Sequence, residues 1–132
     1  MAQFVTLMKD GSPQISPVWI DTDGVNLLIN TATGRLKTSN IKRDSRVAVA
    51  VFDPKDPYSR VVNVTGIVTN ITTSGAVDHI NRLSEKYTGK ATYQGHNNQE
   101  ARLIVTIKPT RITGTEFLIP KIPCKAYSST SQ

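Results

Sequence analysis

Apolar and polar residues alternate along much of this chain with the period of two that a half-buried strand requires. Ala2 to Met8 (AQFVTLM) is predicted as a first strand, ended by the turn signal Lys9-Asp10-Gly11-Ser12. Pro13 to Asp21 (PQISPVWID) alternates as a second, with Ile15, Pro17 and Trp19 on one face and Ser16, Val18 and Ile20 on the other. Proline offers no ladder donor, so Pro17 predicts an edge position or a bulge, both common beside ligand sites. Thr22-Asp23-Gly24 reads as a hairpin turn and Val25 to Ile29 as the third strand, completing a meander with short connections.

The stretch Asn30 to Asn40 follows and runs into a short helix, Ile41-Lys42-Arg43. After the break at Asp44-Ser45, Arg46 to Asp53 (RVAVAVFD) is predicted as a strand buried on both faces, because its small and larger residues are all apolar. Pro54-Lys55-Asp56-Pro57 is a loop, and Tyr58 to Thr72 a long strand in which Gly66 marks a bulge or bend. Closed barrels need such bends. Then the period changes. Ala76, Val77, Ile80, Leu83, Ser84 and Tyr87 recur at helical spacing, predicting an amphipathic helix from Gly75 to Tyr87 with Ser74 as its N-cap. Thr88 to Gln99 is a polar loop, Ala101 to Ile107 a sixth strand ending near Lys108-Pro109, and Arg111 to Ile119 a further extended segment.

This count predicts a mainly β fold: a six-stranded antiparallel barrel with one short and one longer helix. The barrel domain is expected over residues 1–115, and residues 116–132, with two prolines and a Ser-rich end, as an arm or a disordered tail.

Composition narrows the function classes. Sixteen Lys and Arg against ten Asp and Glu leave a net charge of +6, which favours nucleotide-like cofactors, polyanions or acidic tails without choosing among them. A single cysteine, Cys124, excludes an internal disulfide and fits a reducing cytoplasm. No apolar run approaches the roughly 18–20 residues of a membrane span, and no signal-peptide pattern opens the chain, so a cytoplasmic protein is expected. There is neither a Gly-x-Gly-x-x-Gly nor a Walker-type motif. His79 and His96 have no Cys or acidic partner at ligand spacing, so no metal site is predicted. Ser16 has no evident histidine partner, and no catalytic residue is assigned. Redox chemistry, if present, would come from an imported cofactor.

The charged part of Asn30 to Asn40 is the strongest chemical signal. Arg35 and Lys37 would fall in the first turn of a helix, where free N–H groups already carry partial positive charge. A cation there is disfavoured by roughly 0.3–1 kcal/mol unless an anion sits nearby. A bound phosphate would relieve the conflict, and so would simple solvation; local chemistry does not choose. Lys42, Arg43 and Arg46 extend the basic cluster. Nucleic-acid binding by a small barrel usually needs aromatic platforms for stacking, and only Trp19 and Phe52 lie on the nearby strands, which argues against it. Trp19 itself reads either as core or as a wall for a planar ring.

Several motifs recur here in a characteristic order: Asp10-Gly11-Ser12-Pro13, Ser16-Pro17-Val18-Trp19, Asn30-Thr31-Ala32, Gly34-Arg35-Leu36-Lys37, Asn40-Ile41, Asp44-Ser45-Arg46-Val47, Asp53-Pro54, Pro57-Tyr58 and Val64-Thr65-Gly66. Together they resemble the split β-barrel flavin-binding family of pyridoxamine 5′-phosphate oxidase, over about Phe4 to Arg111. The likeness is nearest to the branch that uses the deazaflavin F420, through the Gly-Arg-x-Lys-x-x-Asn helix start and the Asp-Pro…Pro-Tyr loop.

The resemblance implies a six-stranded split barrel forming a homodimer, with two cofactor sites at the interface and a small-molecule substrate. It implies that Arg35 and Lys37 hold the cofactor phosphate, that Asn30 and Thr31 or Thr38 add hydrogen bonds, and that Ser16, Pro17, Val18 and Trp19 border the ring. The activity expected is hydride transfer from F420 to an unsaturated organic substrate. FMN-dependent oxidase or reductase chemistry of the pyridoxamine-phosphate-oxidase type, or a non-catalytic flavin or tetrapyrrole carrier, are the alternatives. An oligoglutamate tail on the cofactor would find Lys42 and Arg43 favourable. Relatives commonly begin with a short helix before the first strand, whereas this sequence opens on the strand; either the start is trimmed or the protein dispenses with that cover, and any site contact from that helix is expected to be missing here. The segment after Thr115 has no counterpart in the family pattern.

Overall fold

The computed structural model describes residues 1–114. The elements in chain order are β1 (Ala2–Leu7), β2 (Pro13–Val18), β3 (Ile20–Thr22), β4 (Leu27–Ala32), α1 (Leu36–Arg43), β5 (Arg46–Phe52), β6 (Val61–Thr72), α2 (Ala76–Thr88) and β7 (Arg102–Gly114). All seven strands belong to one antiparallel sheet in the order β2-β1-β5-β6-β7-β4-β3.

The two ends of that order are the same stretch of chain. β2 and β3 form one extended run broken only at Trp19. The first half pairs with β1, Ala2 opposite Val18, and the second with β4, Ile20 opposite Ile29. The run therefore bridges both edges of the sheet and curls it into a barrel. Counted as one bent strand, it makes the six-stranded split barrel that the sequence predicts. Pro17 sits in the outer half, where no second neighbour needs its missing N–H.

The inward positions of every strand meet in one core. Phe4, Leu27, Ile29, Val62, Val105 and Ile107 are wholly buried there, with Ile41 of α1 packed against them. Gly66 makes the expected bulge: the β6–β7 register shifts between Thr65 and Gly66, and again between Val68 and Asn70.

Several boundaries move, each for a local reason. The strand expected to start at Val25 starts at Leu27, because Asp23 accepts hydrogen bonds from the N–H groups of Val25 and Asn26 and holds them in the turn. The same strand continues through Asn30, Thr31 and Ala32, which pair with β7. The helix at Ile41 to Arg43 is longer, starting at Leu36, and the strand expected from Tyr58 starts at Val61. β5 is buried on one face only. Val47, Val49 and Val51 point inward while Ala48 and Ala50 stay half-exposed, because among the described residues no layer covers the outer face.

Ser74 does not cap α2. Gly75 takes that position in the left-handed conformation (φ 72°) and the cap has no side-chain hydrogen bond. β7 does not stop near Pro109 but runs on to Gly114. Pro109 faces Gly66 at the bulge, beyond the last residue of β7 paired with β4, so its missing donor leaves no ladder gap on that side. The predicted extended segment beyond Gly114, and the arm or tail over 116–132, lie outside the described residues.

Candidate functional site

The turn between β4 and α1 is fastened at both ends. Thr33 N–H donates to Ala101 O at 2.9 Å, and Ala101 N–H donates to Thr33 Oγ1 at 3.0 Å. Gly34 then takes a positive φ of 82°, which aims the chain into α1. Thr38 Oγ1 donates to Ala32 O at 2.7 Å, folding the helix back on the strand, and lies 3.4 Å from Thr31 Oγ1. Farther along, buried Asn40 donates to Thr6 Oγ1 (3.0 Å) and accepts from Arg43, which also donates to Leu7 O. α1 is thus pinned to β1 and β4 along its length. Its N-terminus has no acidic residue and no capping side chain.

Beside this helix start lies a cleft of about 200 Å³. Of the nine residues singled out in the sequence, seven line it: Pro17, Val18, Trp19, Asn30, Thr31, Arg35 and Lys37. Ser16 stands behind Lys37, its Oγ accepting from Nζ at 3.2 Å. Thr38 is buried and spends its donor on Ala32, so it shapes the turn rather than facing the cleft. Met1, Ile80, Tyr93 and Arg102 complete the lining, and sequence reasoning missed all four. In the sequence Arg102 is only the second residue of the strand expected over Ala101 to Ile107; the β4–β7 register sets it opposite Ala32.

The break at Trp19 makes the aromatic wall. Released from the ladder, the indole stacks on Tyr87 (5.6 Å between centroids, 6° between planes) and meets Tyr93 edge-on at 5.7 Å. The Tyr87 hydroxyl donates to Ile20 O at 2.9 Å and lies 3.3 Å from Ile20 N, tying α2 to the backbone just past the break. Tyr93 comes from the polar loop after α2. Its backbone N–H donates to Asn81 Oδ1, and its ring lies 5.1 Å from the Arg102 guanidinium.

Three cations, Arg35, Lys37 and Arg102, converge on this cleft. Arg35 pairs with Glu100 at 3.1 Å. Arg102 donates from Nε to Asn30 Oδ1 at 2.9 Å. Among the described residues Lys37 has a hydroxyl partner only, and its pKa is held below the usual lysine value by burial first and by Arg35 and Arg102 after that. Like charges gathered in a partly dry cleft, with Glu100 paired to Arg35 beside them, are chemically suited to an anion. The donor set fits a phosphate, and Trp19 with the apolar edge of Pro17 and Val18 fits a planar ring beside it.

Asn30 is already engaged within the protein. Its amide donates to Ala76 O (2.8 Å) and to His79 Nδ1 (3.1 Å), while its carbonyl accepts from Arg102, so it is a buried connector at the floor of the cleft. Among the described residues no carboxylate, thiol or imidazole lines the cleft. Among the described residues no group of three or more His, Cys, Asp or Glu could hold a metal, and no helix is long and apolar enough to cross a membrane.

Comparison with known proteins follows the same lines. The sequence profile of pyridoxamine 5′-phosphate oxidase matches residues 1–116. A solved structure named F420 reductase is 30% identical, with a TM-score of 0.75 over 84% of this chain and 86% of that one. A conserved hypothetical protein of Mycobacterium tuberculosis is 25% identical (TM-score 0.62, covering 84% and 73%). A candidate pyridoxamine 5′-phosphate oxidase from Listeria innocua shares the fold at 17% identity (TM-score 0.63, 84% of each chain). No curated protein matches the chain in sequence. The matched profile, which spans most of the chain, and the barrel with its cationic helix start lead to one conclusion: the protein belongs to the pyridoxamine 5′-phosphate oxidase family.

Proposed function

We propose that this protein is an F420-dependent oxidoreductase that transfers a hydride to an unsaturated or conjugated organic substrate. The observation that carries the reading is the convergence of Arg35, Lys37 and Arg102, with Glu100 paired to Arg35, beside the Trp19 wall. Likeness at 30% identity to a structure named F420 reductase favours the deazaflavin. The family profile keeps FMN as the second reading.

In this reading Arg35, Lys37 and Arg102 hold the cofactor phosphate, and Thr31 supplies a hydroxyl at the floor. Pro17, Val18 and Trp19 bound the ring system, and Ser16 orients Lys37. When bound, the cofactor supplies the hydride chemistry. The chain binds, orients and screens the ring from water. Ligand pockets usually enclose roughly 300–1,000 Å³, more than the 200 Å³ found within one chain. A second copy of the chain, forming a homodimer, would supply the remaining wall. Leu36, between the two cationic residues and 52% exposed, is an apolar surface for such a contact.

Separate fluorescence titrations with F420 and FMN test the reading. Binding of F420 alone supports it, and binding of FMN alone supports the second. If neither binds, while an oligonucleotide binds with steep salt dependence, the redox reading fails. Turnover of the reduced cofactor with a panel of conjugated substrates then divides an enzyme from a carrier.

A further inference from the structure

A buried chain of hydrogen bonds leads from the surface to the cleft. Asp21 of β3, partly exposed, faces His79 of α2, with Oδ2 3.1 Å from Nε2. His79 is 1% exposed, and its other nitrogen, Nδ1, lies 3.1 Å from Asn30 Nδ2. Asn30 in turn accepts from Arg102 Nε. The chemistry of the neighbours settles every proton in this line. Ala76 O can only accept and Arg102 Nε can only donate, so the Asn30 amide has one orientation, NH2 toward Ala76 and His79. His79 Nδ1 must then be an unprotonated acceptor, and the ring proton sits on Nε2, donated to Asp21.

We propose that His79, in this neutral Nε2–H form, is a positioning residue that keeps Arg102 turned into the cleft through Asn30, and that protonating His79 releases Arg102. The reason is geometric. A second ring proton on Nδ1 would point at the Asn30 NH2, donor against donor. Asn30 could accept it only by flipping its amide. The flip would set its oxygen against Ala76 O and its NH2 against Arg102 Nε–H, gaining one hydrogen bond and losing two. The charged groups facing the imidazole are Asp21 from β3 and Arg82 from the next turn of α2; Arg102 of β7 reaches it only through Asn30. Burial outweighs the attraction of Asp21 and holds the His79 pKa below its ordinary 6.5, so the relay is intact at neutral pH and opens on acidification.

The consequence for ligand affinity rests on the anion-binding reading of the cleft; the relay itself does not. Ring-nitrogen and arginine Nε–H NMR signals of the free protein test the relay directly. The expected result is a neutral Nε2–H tautomer for His79 and an Arg102 Nε–H signal that shifts with the His79 midpoint. His79→Asn keeps an acceptor toward Asn30 but cannot titrate, so it should hold the Arg102 signal and flatten its pH response. His96, packed edge-on against Tyr93, is the other histidine near the cleft, and His96→Gln should leave the midpoint in place. Titrations with F420 and FMN give the second readout. Affinity in the parent protein should fall about tenfold as His79 protonates, and should stay level in His79→Asn. An Nδ1–H tautomer, an Arg102 signal indifferent to His79, or parallel affinity profiles in parent and His79→Asn would overturn the proposal. If neither cofactor binds at any pH while Arg102 still follows His79, the relay stands and the cofactor reading falls.

Discussion

Lys37 Nζ meets Ser16 Oγ at 3.2 Å, joining the start of α1 to the edge strand β2. A neutral hydroxyl is a weak partner for an ammonium group with Arg35 and Arg102 close by. Replacing Lys37 by Ala should therefore cost the fold little or nothing, since it removes a like charge. It should weaken cofactor binding by roughly 1.5–3 kcal/mol, the scale of a charge-assisted hydrogen bond. Titration of the variant decides: undiminished affinity removes Lys37 from the phosphate site.

Glu100 works in the opposite direction. It occupies Arg35 at 3.1 Å in a pair whose side chains are 42% and 24% exposed for Arg35 and Glu100. Such a pair contributes at most about 1 kcal/mol to stability. Glu100→Gln should lower the thermal midpoint only slightly while tightening anion binding about two- to fivefold, because Arg35 no longer has a competing carboxylate. A weaker-binding variant would mean that Glu100 orients Arg35 rather than opposing the ligand.

The bulge at Gly66 is a packing requirement. A Cβ there would lie 2.6 Å from Lys108 O and 2.8 Å from Ile107 Cγ2, and the first of these neighbours is backbone. Gly66→Ala should destabilise the barrel by about 1–3 kcal/mol. Chemical denaturation measures it, and an unchanged midpoint would show that β7 can move aside at Pro109.

Acid should loosen the protein in two separate steps. His79 has a pKa depressed by burial, so the folded state binds its proton less readily than the unfolded chain does. Its contribution to stability is whole above 6.5 and is lost as the pH falls through the lower folded value. Asp44, hydrogen-bonded by Arg46 and lowered to about 2, loses its contribution only between 3.8 and that value. In a stability profile against pH, His79→Asn should abolish the upper step and leave the lower one. A surviving upper step would assign it to another group.

Much of the barrel could be read from the chain alone because its information is local. Alternation marks a strand whatever its partner, and the spacing of Ala76, Ile80, Leu83 and Tyr87 marks a helix before anything covers it. Pro17 and Gly66 announced an edge and a bulge because backbone chemistry limits where they fit. The crowding of Arg35 and Lys37 at a helix start was likewise legible, since each charge and the helix dipole lie within a few residues of one another.

Tertiary structure decided whatever depends on distant partners. No local pattern says that one strand breaks at Trp19 and pairs with β1 on one side and β4 on the other. That outcome follows from closing a sheet with its apolar faces inward and its edges paired. The pairing of β4 with β7 brings Arg102 to Ala32 across seventy positions and delivers the third cation. Tyr93 and His79 looked unremarkable in a polar loop and on a helix face. Their roles arise from what α2 and its following loop are packed against, which a one-dimensional pattern does not encode.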